Sequence, residues 1–269
     1  MLAQLAKVNF VSKMIKLPTD WKQPGDQYGD AFEPTEKTVP PNMPMNLFRE
    51  ESLNKYHVDT AKTIGKNFED YIDGISDAIC GGIDKWMKMT TINGVIINAV
   101  VGVLAPGCVV GPPLMPLILA SAPMNTPQEM KYSNAIANAF STGWQTWSLG
   151  ISGVLSYPAF AAFPGPVAPP MPNIPMPLIA FPSSGESMLS PSMLKNSMTA
   201  NLGDPTALHA TDLFDAIAQA FSVAFLMFKA STMIQNVLGT GPVPTFAPPF
   251  VPVGPVVGGV GTGPPGCIM

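Results

Sequence analysis

Ala135-Ile136-Ala137-Asn138-Ala139-Phe140-Ser141 and Ala216-Ile217-Ala218-Gln219-Ala220-Phe221-Ser222 are one seven-residue phrase, differing only at Asn138 and Gln219. Each copy leads into a proline motif. Ala168-Pro169-Pro170 comes 33 residues after the first alanine, and Ala247-Pro248-Pro249 comes 31 after the second. A weaker copy opens at Asp77-Ala78-Ile79-Cys80 and reaches Gly111-Pro112-Pro113, 33 residues after its alanine. Trp86, Trp144 and Phe225 fall at comparable places along the three copies. Self-similarity on this scale indicates one structural unit used three times. Each unit reads as an amphipathic helix, a Gly/Pro break and an extended apolar arm.

The helices carry start and stop signals. Thr126-Pro127-Gln128-Glu129 has a capping threonine, proline at the first helical position and glutamate at the third, a capping box. Asp204-Pro205 offers a similar start to the third helix. Leu213, Ile217, Phe221, Phe225 and Phe228 line one side of it, with Gly239 as its stop. Ile136, Phe140, Trp144 and Trp147 form the matching stripe on the second helix, which Pro158 ends at or before Tyr157. The first helix is expected from about Ser52 to Cys80, kinked at Gly81-Gly82 and continued past Trp86 to Ile96. Ile136, Phe140, Trp144, Phe221 and Phe225 are the expected helical core.

The arms have another character. Pro158 to Pro191 contains ten prolines in 34 residues. A proline lacks the donor that a sheet interior needs, so these stretches favour polyproline II and turns. The expected class is therefore mainly α, with three helical units, extended Pro/Gly-rich arms and little regular sheet. The expected divisions are 1–50 (a helix and a Pro-rich polar strap), 51–125, 126–203 and 204–269.

Charge is distributed unevenly. Residues 1–88 hold 24 Asp, Glu, Lys or Arg side chains, whereas Tyr132 to Met269 hold six. Charged residues make up 12% of the chain, against roughly 25% in ordinary soluble domains, and mean hydropathy is +0.24. An apolar, poorly charged surface calls for burial against other chains. Trp144 and Trp147 on the second helix, with Phe160, Phe163, Phe181, Phe246 and Phe250 in the arms, are the expected subunit-interface residues. The partners expected are copies of the same chain and other structural proteins.

Several function classes are disfavoured. A net charge of −4 with a single arginine, Arg49, lacks the basic stripe that nucleic acid requires. Cys80, Cys108 and Cys267 are too few and too scattered for a disulfide framework, and Cys267 stands third rather than fourth from the end, so it makes no prenylation box. Only His57 and His209 could supply imidazole. The carboxylate pairs Asp70/Asp73 and Asp212/Asp215 suit solvated helix faces and helix N-terminal halves. Ser183-Ser184-Gly185-Glu186-Ser187 makes no nucleophile elbow, and the Gly254–Gly259 stretch lacks the Lys-Ser/Thr of a phosphate loop. No enzyme activity, cofactor or metal is expected. The opening Met1–Lys7 lacks the pattern of a secretory signal, which places assembly in the cytoplasm. Ile92–Val110, 19 uncharged residues, is long enough to cross a bilayer. A membrane-active pore or translocated effector is accordingly the alternative.

Gly241-Pro242-Val243-Pro244-Thr245-Phe246-Ala247-Pro248-Pro249-Phe250-Val251-Pro252-Val253-Gly254-Pro255-Val256-Val257-Gly258-Gly259 and Phe163-Pro164-Gly165-Pro166-Val167-Ala168-Pro169-Pro170 resemble Pro/Gly-rich segments of structural proteins in phage tails and related contractile injection systems. The resemblance covers about a third of the chain. It implies a non-enzymatic subunit of a virion or extracellular particle and carries over no catalytic residue. Spike-tip proteins of the PAAR type share such turns, but their zinc-binding His/Cys cluster has no counterpart here.

Overall fold

Thr126 caps its helix as its surroundings dictate. Its hydroxyl accepts the Glu129 N–H at 3.1 Å, and the Glu129 carboxylate accepts the Thr126 N–H at 3.0 Å. The computed structural model describes residues 1–13, 49–162, 165–207, 209–245 and 255–269, with side chains of the long helix described from Ile64 onward. Six helices are defined there: α1 (Leu2–Ser12), α2 (Arg49–Met89), α3 (Leu114–Leu119), α4 (Pro127–Gly150), α5 (Pro191–Leu202) and α6 (Ala210–Ser231). Helix α2 passes through Gly81-Gly82 without a break and ends at Met89, short of the expected Ile96. A Cβ on Gly82 would come within 2.9 Å of Ile118, so this glycine serves close helix packing against α3 rather than a kink. Helix α6 begins at Ala210 rather than beside Asp204, whose carboxylate instead accepts the Thr206 N–H and hydroxyl in a local turn. It stops at Ser231, before Gly239.

The repeated phrase marks a real meeting point. Phe140 and Phe221, equivalent positions of the two copies, stack edge to face with centroids 4.7 Å apart. Trp144 meets Phe225 at 5.9 Å, and Trp86 meets Trp144 at 5.2 Å. The three aromatic positions matched in the sequence thus converge in one cluster, joined by Trp147 and Phe228. Edge-to-face aromatic contacts add to the area these rings bury. The indole nitrogens of Trp144 and Trp147 are buried without a partner among the described residues. The two indoles contribute to the cluster by packing rather than by hydrogen bonds.

The mainly α expectation is overturned by a seven-stranded antiparallel sheet. Its strands are β1 (Thr91–Ala99), β2 (Val101–Leu104), β3 (Val109–Val110), β4 (Gly153–Ser156), β5 (Val167–Pro172), β8 (Leu238–Pro242) and β9 (Val256–Gly263). They lie in the order β4-β2-β1-β9-β8-β5, with β3 also on β1. The short strands β6 (Met176–Pro177) and β7 (Met233–Ile234) pair separately. Residues of the expected units 51–125, 126–203 and 204–269 all supply strands to the one sheet. Ile92–Val110 is therefore hairpin and sheet rather than a spanning helix. Pro169, Pro170 and Pro172 are accommodated because β5 is an edge strand, where missing donors face outward. Its register shifts between Ala168 and Met171, at the Pro-Pro pair. One hydrophobic cluster runs from the helix interiors to the inner face of the sheet.

Helix α1 is fastened by charge. Lys13 hydrogen-bonds to Asp215 of α6, Lys195 of α5 lies 3.6 Å from the same carboxylate, and Lys7 bonds Asp73 of α2. Partial burial acts to raise the Asp215 pKa, but the two lysines prevail and hold it below its ordinary value of 3.8. A depressed carboxylate contributes stability that is complete above its unfolded pKa and is lost as pH falls through the folded one. Asp215→Asn should therefore melt lower than the parent at neutral pH, with the gap closing below about pH 4, as thermal melts across pH will measure. Trp144→Ala should cost about 3–5 kcal/mol in denaturant unfolding, because it empties the centre of the aromatic cluster.

Candidate interaction surface

In β2, β8 and the end of β9 glycine alternates with a larger residue, and there the glycines point inward. Gly102 of β2, Gly239 of β8 and Gly261 of β9 are buried, and a Cβ on any of them would come within 2.9 Å of Tyr157. Gly239 and Gly261 face each other across the β8–β9 ladder. Together they leave a shallow bed for the aromatic ring just beyond β4. Phe160 closes on Tyr157 with centroids 5.5 Å apart and is itself fully buried. Burial pushes the Tyr157 hydroxyl up to about 12. That hydroxyl has no hydrogen-bond partner among the described residues.

The consequence appears on the other face. In an antiparallel ladder, directly opposed residues project to the same side. Val154 opposes Val103, Val103 opposes Ile96, Ile96 opposes Val260, and Val260 opposes Thr240. The four apolar members of this row are 47–56% exposed. Val101, Val167, Leu238 and Val257 extend the exposed apolar surface along the same sheet. The usual arrangement, large apolar side chains inside and polar ones outside, is reversed over β2, β8 and β9. No described strand contains Asp, Glu, Lys, Arg or His.

Two edges of the sheet are partly guarded against further pairing. Prolines line β5. At the opposite edge the Ser156 carbonyl of β4 accepts the Ile174 N–H at 2.8 Å, and the Ser152 N–H donates to Pro182 at 3.0 Å. Proline and covering segments are the usual protection of an exposed edge.

The interface residues named from the sequence are placed differently. Trp144, Trp147, Phe160 and Phe181 are at most 2% exposed and lie in the chain's own core, so they present no surface to a neighbour. The arm between Tyr157 and Phe181 folds back on the helices and sheet because Phe160, Ala168, Leu178 and Phe181 find burial there. Phe163, Phe246 and Phe250 lie outside the described residues, as does the side chain of His57. The outward valines escaped notice because Gly/Val/Pro text reads as an irregular arm. The alternations Val101-Gly102-Val103 and Val260-Gly261-Thr262-Gly263 were the signal that could have revealed them.

Groups with chemical potential occupy structural posts. A cavity of about 780 Å³ lies among Phe68, Tyr71, Tyr132, Glu129 and Asp204. Its three carboxylates are already engaged, Asp70 with Lys66, Glu129 in the helix cap and Asp204 in the Thr206 turn. Burial raises the Tyr71 hydroxyl, which pairs with Ser133 at 3.2 Å. His209 Nδ1 lies 3.5 Å from Asp212. Lys229 pairs with Glu186 and sits 5.0 Å over the Phe225 ring. Cys267 is buried, its thiol pushed up to about 11 by desolvation, which makes it a poor nucleophile. No group of three or more His, Cys, Asp or Glu suited to a metal ion occurs among the described residues. Helix α6 is long and apolar enough to cross a bilayer by length and composition, and half of its apolar window is buried in this fold.

No family model, curated protein or solved structure matches this chain.

The orphaned hydroxyl gives a direct test of the glycine bed. Removing a buried, unpaired hydroxyl recovers its desolvation cost, so Tyr157→Phe should stabilise the protein by about 1 kcal/mol in chemical unfolding. Gly261→Val should destabilise it by about 1–3 kcal/mol, because the added side chain meets Tyr157 and the sheet cannot yield on one strand alone.

Proposed function

We propose that this protein is a non-enzymatic structural subunit that packs with itself and with other proteins of a particle. The observation that carries the reading is the outer face of the sheet, where an uncharged, solvent-exposed apolar row runs across β4, β2, β1 and β9, bordered by Ser156, Asn98 and Thr240. Contiguous apolar patches of this extent mark association surfaces. The rest of the molecule is built to hold that face rigid. The glycine bed presses the sheet onto its own interior, and two sheet edges are partly guarded, which directs association to the face. The groups that could do chemistry serve caps, turns and ion pairs, which favours a structural role over a catalytic one.

The kind of particle rests on the resemblance of the Pro/Gly-rich segments to phage-tail and contractile-injection proteins. On that reading the chain assembles in the cytoplasm and ends in a virion or extracellular particle, without nucleic acid as a direct partner. The role of the prolines differs from the one expected. The described arm residues serve the chain's own interior, and the valines of the sheet provide the meeting surface.

Sedimentation of the protein from its native source, without detergent, tests the proposal. The chain should travel with other proteins in material far heavier than its own 28.4 kDa. Val103→Lys with Val154→Lys should keep the fold by circular dichroism and return the chain to the light fractions. Flotation of the parent with liposomes, together with a light parent in sedimentation, would replace this reading with a membrane-active one.

A further inference from the structure

The outer face has a shape and chemistry suited to itself. We infer that two copies of this chain associate sheet on sheet through the row Val154, Val103, Ile96 and Val260, related by a two-fold axis near Ile96. This inference rests on the structural-subunit reading and names its first partner.

Three observations single out a second copy. The first is area. The exposed portions of the eight outward apolar side chains come to about 600 Å² per chain, at the upper end of the largest patch on an ordinary monomer. With the intervening threonines and glycines the face approaches the roughly 800 Å² that each partner buries in a stable interface. The second is charge. The chain carries −4 overall, yet no described strand bears an ionisable group. Two such faces meet without like-charge repulsion, whereas a charged partner would find nothing to pair with. The third is geometry. Because prolines interrupt β5 and neighbouring segments take up part of the β4 edge, a neighbour's strand would extend the sheet poorly. Flat stacking about 10 Å apart, the spacing of packed sheets, is the arrangement left to the face.

The position of the axis comes from the strand order. β1 and β9 are the two central strands of the path β4-β2-β1-β9-β8-β5, and Ile96 opposes Val260 across them. A self-complementary contact centred there places Ile96 of one copy over the same neighbourhood of the other, since a two-fold interface uses one patch twice. The outward valines and isoleucine then interdigitate as the inner faces of a sandwich do.

Sedimentation velocity of the full chain over a range of concentrations decides the matter, with Ile96→Lys and Ile96→Glu as probes. The parent should be a dimer. Each variant alone should keep the parent's circular dichroism and weaken dimerisation by roughly a hundredfold or more, because a charge is buried against its like. An equimolar mixture of the two variants should regain the dimer, a result that a merely misfolded variant cannot give. A dimer indifferent to both substitutions would overturn the inference. So would a monomeric parent at every concentration. In that case a hydrophobic dye separates the causes. Dye bound by the parent and lost in Ile96→Lys means the face is free but meets a different protein, so the structural-subunit reading survives. No dye bound means that the face is not free in solution, and both readings fall.

Discussion

The architecture of this sheet depends on one ring needing space. Tyr157 lies flat against strands from three parts of the chain, and only glycine lets the backbone come near enough. Once Gly102, Gly239 and Gly261 hold inward positions of β2, β8 and β9, strand alternation sends Val101, Val103, Leu238 and Val260 outward. The inner face gains the close packing of an aromatic on bare backbone. The outer face is left with the apolar side chains that most sheets keep inside. The interior is thus completed at the expense of a surface that water covers poorly.

The helical side obeys a related constraint. Its uncharged text is interpretable once the Trp86–Trp144–Phe225 cluster is seen, because those rings are buried inside the chain and burial of an unpaired charge beside them would be costly. Charge also ties the helices at their rims, by Lys13, Lys195 and Asp215 at one place and by Lys229 with Glu186 at another. The charge desert that suggested burial against neighbours is in large part burial within the chain. The remainder, the sheet's outer row, is where a neighbour is still called for.

Local signals were the most legible. The Thr126–Glu129 capping box formed as written, since both partners lie within four residues of each other. The seven-residue phrase rightly picked out equivalent positions, and Phe140 and Phe221 touch. Its downstream motifs did not become equivalent: Gly111-Pro112-Pro113 leads into a short helix, whereas Ala168-Pro169-Pro170 lies in an edge strand. A repeated helix face keeps its role even when the segments beyond it diverge. A repeated arm does not, because an extended segment takes its structure from whatever it lies against.

Short-range information in the chain was enough for the helices of Thr126 and of the second phrase, for the aromatic stripes that join them and for the lack of charge along the strands. Each of these depends on neighbours three or four residues away or on composition alone. The three-dimensional packing was needed to make Ile92–Val110 and Val256–Gly263 adjacent strands and to turn Phe160 and Phe181 inward. It also placed glycine beneath Tyr157 and left valine to meet the solvent. Those outcomes depend on contacts between residues far apart in the chain, where the backbone's hydrogen bonds and the space around one ring outweigh any local preference.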